Sequence, residues 1–174
     1  MFYNIRNTIN NKLARTIYFS CIYSRIKYGI EIYGSACDAK IAKLQTLQNK
    51  LMKLLTKKPP RFSTDRLHSE LNILRVKDIY ETSVLHFTYN CVNGNTIENF
   101  RNFHHFQQDV HTHNTRQKKH LTRKRIHTDI GKSTIHYTGA SLWNSMTLDI
   151  SNIKTLKSFK RNLFKHYLNK YSLQ

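Results

Sequence analysis

The stretch that most constrains the fold runs from Ile17 to Ala36 and carries only three charged residues, Arg25, Lys27 and Glu31. Its apolar and aromatic side chains fall on two adjoining helical stripes. One is Ile17, Cys21, Tyr28 and Ile32, and the other is Tyr18, Ile22, Ile26 and Tyr33. A helix that is apolar around most of its circumference is normally buried. We therefore expect the central core helix of a soluble, mostly helical domain, ending near Gly29 and Gly34, and not a bilayer span.

Periodicity and capping signals predict four more helices. They are expected over Ala39 to about Lys57, from Ser63 or Thr64 through Leu71, over about Val76 to Val92, and over about Thr155 to Tyr171. Asp38 is the expected N-cap of the first of these helices, and Pro59-Pro60 ends it. The first and the last carry lysine residues around an apolar stripe, which is typical of a helix that packs on a core and faces water.

A change of composition divides the chain. Residues 99–136 hold most of the histidines and lose the periodicity, so we expect loop or loosely held extended chain there. Thr134 to Thr138 then alternates weakly and predicts a short strand or extended arm between Gly131 and Gly139, with Trp143 as its anchor on the core. The prediction is a mainly α fold with a small helical bundle (1–95), a basic His-rich linker or strap (96–130) and a C-terminal extension ending in an amphipathic helix (131–174).

Positive charge is the dominant chemical feature, with 29 Lys and Arg residues against 10 Asp and Glu and a formal net charge of +19. Because each phosphate that a cation neutralises releases counterions, a polyanion is the expected partner, ahead of a merely solvated basic surface. Two acid-free runs supply the predicted nucleic-acid-binding residues. They are Lys50, Lys53, Lys57, Lys58 and Arg61, and then Arg116, Lys118, Lys119, Arg123, Lys124 and Arg125. The second run also fits a nuclear-import signal or a disordered linker.

The patterns that indicate catalysis or metal binding are missing. No two acidic residues are adjacent, no serine lies in a Gly-x-Ser-x-Gly turn, and His111-x-His113 has no companion ligand at suitable spacing. We therefore expect no catalytic activity, metal, cofactor or small-molecule substrate. Three widely spaced cysteines and an N-terminus without a signal-peptide core indicate an intracellular protein, in nucleus or cytoplasm, without a membrane partner.

Several short motifs occur in an order that resembles a known family. They are Ile22–Ala36 with Lys43–Lys50, Leu71–Leu74, Asp78–Tyr80, His113–Arg116, Gly131–Ser133, and Tyr137, Gly139 and Leu142–Ser145. The series resembles the thumb and its C-terminal extension, which follow the catalytic palm in reverse transcriptases of jockey-like non-LTR retrotransposons. Two positions depart from the family pattern. Ser24 stands where the family usually has Pro, and Met146-Thr147 replaces the usual Leu-Pro.

The resemblance implies a thumb-like bundle in a piece of an RNA-directed DNA polymerase. Polymerases of this family hold metal ions with palm carboxylates, including a Tyr-x-Asp-Asp element that this sequence lacks. We therefore interpret the chain as a non-catalytic fragment that binds RNA or RNA–DNA hybrid through the phosphate backbone, with a catalytic palm-containing chain as a second candidate partner. Two alternatives stay open. One is an interaction or structural remnant without nucleic-acid function, and the other is a decayed transposon open reading frame.

Overall fold

The structure is a computed structural model that describes residues 10–110 and 117–172. Within those ranges the chain is mainly helical, which confirms the predicted fold class. The described residues contain one pairing of extended chain, an isolated antiparallel bridge between Phe106 and Leu121. None of the described helices is long and apolar enough to cross a membrane.

Helical elements make up most of the described chain. In chain order they are α1 (Asn11–Ile17), a π-helical turn (Tyr18–Tyr23), α2 (Ser24–Lys27), α3 (Ile30–Tyr33), α4 (Asp38–Leu55), α5 (Thr64–Leu71), α6 (Val76–Val92), a 3-10 turn (Glu98–Phe100), α7 (Gln107–Val110), α8 (Asp129–Lys132), α9 (Ile135–Ser145), α10 (Leu148–Ser151) and α11 (Leu156–Ser172). The described residues fall into two compact units. Unit 1 is taken from Met1–Tyr80 and Phe164–Gln174, and unit 2 from Glu81–Leu163.

α1, the π-helical turn and α2 follow one another without a gap and are here called the first helical segment (11–27). The π turn keeps one apolar stripe of this segment on the same side. Its buried residues are Ala14, Tyr18, Ile22 and Ile26, which follow one another at intervals of four. In a regular α-helix each such interval adds about 40° of rotation, so Ile26 would lie roughly 120° away from Ala14. The π-helical residues Tyr18–Tyr23 place more residues in a turn and reduce that rotation. The stripe therefore faces the core of unit 1 along its whole length.

The predicted stripe of Ile17, Cys21, Tyr28 and Ile32 is largely exposed. The expectation of a helix buried around most of its circumference therefore holds only for the stripe that contains Tyr18, Ile22 and Ile26. Tyr28 and Ile32 are 87% and 83% exposed, and Cys21 is exposed as well. The helix ends beside Gly29, which has φ 65°, a left-handed conformation that glycine adopts at low cost. α3 begins after this break, and its first residue, Ile30, is fully buried.

A buried amide joins three parts of unit 1. Gln48 of α4 is 1% exposed. Its Nε2 donates to the Tyr18 hydroxyl at 2.7 Å and to the Leu74 carbonyl at 2.9 Å. Burial raises the pKa of Tyr18 far above its ordinary value, so the hydroxyl stays neutral. Because buried polar groups cost free energy when they lack partners, these bonds fix how α4 packs against the first helical segment.

The last turn of α11 is tied to the start of α6 within unit 1. The Tyr171 hydroxyl accepts a hydrogen bond from the Arg75 backbone N–H at 3.0 Å and donates one to the Asp78 carboxylate. Arg75 also forms an ion pair with Asp65 of α5. The predicted C-terminal helix is confirmed, and Tyr171 extends its buried stripe by one turn.

Three aromatic rings lie together in the core of unit 2. Tyr89 stacks on Phe159 with 4.3 Å between the ring centroids, and Trp143 lies 6.2 Å from Phe159. The Tyr89 hydroxyl donates to the Ile153 carbonyl at 2.9 Å. Trp143 is only 5% exposed, as expected of an anchor. A ring buried in this way cannot serve as a platform for a base.

Residues 134–138 do not form the predicted strand or extended arm, because they open helix α9. The glycine that was expected to end the arm lies inside this helix. A Cβ atom at Gly139 would lie 2.5 Å from Thr88 Oγ1 and 3.4 Å from His104 Nε2. Gly139 is therefore a residue of close packing and not of a turn, which is why the turn signal misled the prediction.

The predicted linker is largely irregular in its described part, yet it is fixed to unit 2. Leu121 is 1% exposed, and its backbone N–H donates to Asn144 Oδ1 at 2.7 Å. Asn144 Nδ2 donates back to the Leu121 carbonyl at 2.9 Å. The Thr122 N–H also donates to the His105 carbonyl at 2.8 Å. The segment is thus held at one buried residue, and the division of the chain at residues 95 and 130 stays a prediction from composition.

Candidate nucleic-acid interface

Helix α4 carries the first predicted basic group toward its C-terminal end. The helix begins at Asp38 with Cys37 in the N-cap position, so Asp38 is its first residue and not its cap. The side chains that α4 buries are Gln48, Met52 and Leu55. Lys50 is exposed and Lys53 half-buried, which leaves both ammonium groups at the surface of unit 1.

The helix ends in a left-handed turn that sets the direction of the next two lysines. Lys57 has φ 57°. The Lys58 N–H donates to the Lys53 carbonyl at 3.0 Å, and the Lys57 N–H donates to the Leu54 carbonyl at 3.4 Å. These two bonds define a Schellman motif, in which glycine is the usual left-handed residue. A lysine in that conformation costs about 1–2 kcal/mol, and Pro59-Pro60 then prevents the helix from continuing.

The turn, α4 and the first residue of α5 enclose a cleft of about 770 Å³. Four of the five residues in the first predicted group line it, namely Lys50, Lys53, Lys57 and Lys58. Arg61 is exposed and lies outside the lining. The other lining residues are Thr46, Asn49, Leu54, Pro59, Pro60 and Thr64. The structure thus gathers the lysines around a cavity, whereas the sequence predicted only a charged helix face.

The ammonium groups of Lys53 and Lys58 are held by contacts with residues that follow α4. Lys53 Nζ donates to the Pro60 carbonyl at 2.6 Å. Lys58 Nζ lies 3.9 Å from a Glu70 carboxylate oxygen and 4.4 Å from the centroid of the Phe62 ring. Glu70 comes after the acid-free run in sequence but approaches it in space, so the linear pattern missed this acid. A half-exposed ion pair of this kind is worth at most about 1 kcal/mol, so a phosphate can replace Glu70 as partner of Lys58.

A fixed amide completes the lining. Gln45 Oε1 accepts from the Val76 N–H at 2.8 Å, which orients Gln45 so that its Nε2 donates to Asn49 Oδ1 at 2.8 Å. His68 Nε2 lies 3.0 Å from the same Asn49 oxygen. Burial lowers the pKa of His68, and a hydrogen bond with the Ile73 carbonyl opposes that effect. Asn49 lines the cleft, and because its oxygen is engaged, its amide hydrogens are the groups that remain for a further partner.

The second predicted group lies on the irregular segment of unit 2, except Arg116, which falls outside the described residues. Lys118, Lys119, Lys124 and Arg125 are exposed. The Lys118 carbonyl accepts from the Gln108 N–H at 3.2 Å, and Arg123 Nη1 donates to Ser141 Oγ at 3.2 Å. Across residues 10–110 and 117–172, no ion pair involves this group. The described members of the group thus carry their charges at the surface.

Candidate metal ligands and one buried thiol also occur among the described residues. In the described part of the chain no group of three or more His, Cys, Asp or Glu residues could hold a metal ion. The His111-x-His113 pair lies outside the described residues. Cys91 is buried, and burial raises the pKa of its thiol to about 11, which makes it a poor nucleophile. The expected lack of catalytic activity stays a prediction.

Two curated proteins of Drosophila melanogaster are similar to part of the chain. The "Probable RNA-directed DNA polymerase from transposon X-element" is 37% identical over 71 residues, or 41% of this chain. The "Probable RNA-directed DNA polymerase from transposon BS" is 31% identical over 75 residues, or 43% of this chain. The matched stretch covers only 8% of each relative. No protein-family model and no solved structure matches the chain. Over about two fifths of its length, the chain is thus similar to RNA-directed DNA polymerases from transposons.

Proposed function

We propose that the chain is a non-catalytic thumb and post-thumb part of a jockey-like non-LTR retrotransposon reverse transcriptase. In this proposal it binds RNA or RNA–DNA hybrid through the phosphate backbone. The similarity to two transposon polymerases supports the family, and the ordered motifs support the position within the enzyme. The observation that carries the binding function is the group of four lysines around one cleft of unit 1.

The two basic groups supply the binding energy in this proposal. Ammonium and guanidinium groups that neutralise phosphates release condensed counterions, and the gain is largest at low salt. The first group presents its charges on a helix end that is already ordered. The second group presents its charges on a strap that is anchored at Leu121, and its described members are exposed. Arg116 belongs to the proposed group but lies outside the described residues. Because phosphate contacts carry no sequence information, we expect low sequence specificity.

A binding measurement tests this function. Fluorescence anisotropy of the full chain with a single-stranded RNA and with an RNA–DNA hybrid, each across a salt series, should show a steep loss of affinity with salt. The logarithmic slope should correspond to several phosphates at about 0.7 to 0.9 per contact. Charge reversal of Arg123, Lys124 and Arg125 should weaken binding and flatten the slope. Absence of binding to both ligands at low salt would overturn the proposed function.

Exposed apolar side chains on both sides of the break at Gly29 support a second candidate function, an interaction or structural remnant. Tyr28 and Ile32 are both large and more than four-fifths exposed, and contiguous apolar surface is typical of sites that bind another protein. A catalytic palm-containing chain is the partner that the family resemblance suggests. Sedimentation velocity distinguishes the candidates, because a compact monomer at all concentrations argues against a self-associating remnant.

A further inference from the structure

The lining of the α4 cleft is chemically divided. Leu54, Pro59 and Pro60 contribute the apolar part of the lining, here called the apolar wall, whereas the lining lysines supply positive charge. A surface that only follows a phosphate backbone needs cations and no apolar concavity. A concave site with apolar walls and a few placed polar groups is instead typical of a pocket for a small molecular unit.

The polar groups of the cleft are placed by hydrogen bonds made elsewhere. Asn49 directs its oxygen toward Gln45 and His68, so its amide N–H groups remain as donors. The Thr46 hydroxyl donates to the Ala42 carbonyl at 2.8 Å, which leaves its oxygen lone pairs as acceptors. One fixed donor and one fixed acceptor beside an apolar wall complement the edge and the face of a nucleobase.

The dimensions decide between a paired and an unpaired base. A volume of about 770 Å³ lies within the range of about 300–1,000 Å³ that is usual for small-molecule pockets. One nucleotide can enter such a space, but a base that is paired and stacked inside a duplex cannot. We propose, resting on the nucleic-acid function above, that the cleft holds one unpaired nucleotide, with its base on the Leu54–Pro59–Pro60 wall and its phosphate among the lysines.

The test compares adenosine 5′-monophosphate with ribose 5-phosphate, which has the same phosphate and no base. Titration of the ¹⁵N-labelled full chain should shift the Asn49 side-chain amide signals with the mononucleotide. Ribose 5-phosphate should bind at least about fivefold more weakly. Equal affinities, or mononucleotide shifts that spare Asn49, would overturn the proposal.

A substitution that changes the lining but no charge distinguishes binding in the cleft from binding by net charge alone. Thr46→Leu adds bulk to the lining without changing any charge, and it should weaken mononucleotide binding at least about fivefold. Thr16→Leu is the matched control, because Thr16 is also exposed on a helix and its hydroxyl donates to the carbonyl four residues earlier, at 3.1 Å. Unchanged mononucleotide binding in Thr46→Leu would contradict the proposal.

The same samples distinguish this proposal from the function on which it rests. If RNA and hybrid bind with a steep salt dependence while adenosine 5′-monophosphate binds no better than ribose 5-phosphate, only the cleft proposal fails. If neither polymer binds at low salt, the proposed function fails. An RNA–DNA hybrid with a single-stranded overhang should bind more tightly than the blunt hybrid, and this difference should shrink in Thr46→Leu.

Discussion

The two basic groups of this chain are supported in different ways. In unit 1, Lys53 and Lys58 stand at the end of a helix and are held by the Pro60 carbonyl, Glu70 and the Phe62 ring. In unit 2, Lys124 and Arg125 lie on irregular chain and are exposed. A preordered group loses little conformational entropy when it binds a phosphate, whereas an exposed segment must be ordered first. Equal numbers of charges should therefore give unequal affinities.

The largest effect should come from removing the cleft charges. Replacing Lys50, Lys53 and Lys57 by Gln should lower the salt slope for single-stranded RNA by about 2 and the affinity at 0.1 M salt by about 100-fold, since each phosphate contact contributes about 0.7 to the slope. The matching change of Arg123, Lys124 and Arg125 to Gln should lower the slope equally but the affinity less. Anisotropy measures both quantities.

Three other lysines provide the control for total charge. Lys157, Lys160 and Lys165 of α11 are exposed, and their replacement by Gln removes the same number of charges. If this variant loses as much affinity as the cleft variant, the binding depends on net charge alone and the contrast between the groups is wrong.

Acid should weaken the unit that anchors the strap. His104 is 8% exposed and stacks on His136 with 5.1 Å between ring centroids. Burial, followed by the nearby His136 and His105, lowers the pKa of His104 to about 4. In the unfolded chain His104 has a pKa of about 6.5, so at a pH above that value both states carry a neutral ring and the full stability is present. As the pH falls from 6.5 toward 4, the unfolded state binds a proton more readily than the folded state, and stability is lost. Between pH 7 and 5 the free energy of unfolding should fall by roughly 1–2 kcal/mol through this residue.

Urea unfolding at pH 7 and pH 5 checks the role of His104. In His104→Gln the free energy of unfolding should fall less between pH 7 and pH 5 than in the original chain, by roughly 1–2 kcal/mol. This comparison holds whatever the stability of the variant at pH 7. His127→Gln, at an exposed position, should keep the original sensitivity. The same acid sensitivity in His104→Gln as in the original chain would rule out this residue as the cause.

A single substitution, at Asn144, removes the two hydrogen bonds that anchor the strap at Leu121. Asn144→Ala removes both hydrogen bonds to the Leu121 backbone, which then lacks partners in a largely buried place. The expected loss is about 1–2 kcal/mol of stability, together with faster hydrogen exchange of the Leu121 amide. Protected exchange at Leu121 in the variant would show that other contacts hold the strap.

The smallest effect concerns the left-handed lysine at the cleft. Lys57→Gly should raise the free energy of unfolding by about 1 kcal/mol relative to Lys57→Ala, because only glycine adopts this conformation without strain. Both variants lose the same charge, so their affinities for RNA should agree within about twofold. Thermal unfolding and anisotropy provide the two readings, and equal stabilities would show that the turn carries no strain.

Sequence periodicity predicted α4, α5, α6 and α11 close to their observed bounds, but it missed α9 and the start of a separate helix, α3, after Gly29. Val76–Val92 was predicted at its observed bounds, because seventeen residues repeat the helical pattern many times. α9 was missed because Gly139 resembles a turn residue until its distances to Thr88 and His104 are known. The exposure of Tyr28 was also missed, because an apolar sequence pattern shows which faces of a helix are apolar. It does not show which of those faces packs against another element.

The sequence predicted which basic residues belong to the candidate site, but it did not predict that four of them line a cleft. Lysine spacing and the proline pair indicated where the charges and the helix end lie. The cleft depends on the reversal of the chain at Lys57, which no sequence rule favours for a lysine. Asn49 and Thr46 became candidates only because the tertiary structure places them in the lining, and nothing in their local sequence marks them.

The π turn has a consequence for how the gene can change. Ile26 lies twelve positions after Ala14. In a regular helix with one residue fewer between them, these two side chains would lie within about 20° of each other. Loss of a single codon between Tyr18 and Ile22 would thus turn the π segment into ordinary α-helix and keep the flanking residues on the same side. The same loss in the middle of α4 would rotate all that follows by about 100°. We therefore expect the first helical segment to accept the in-frame deletion of one codon better than α4 does.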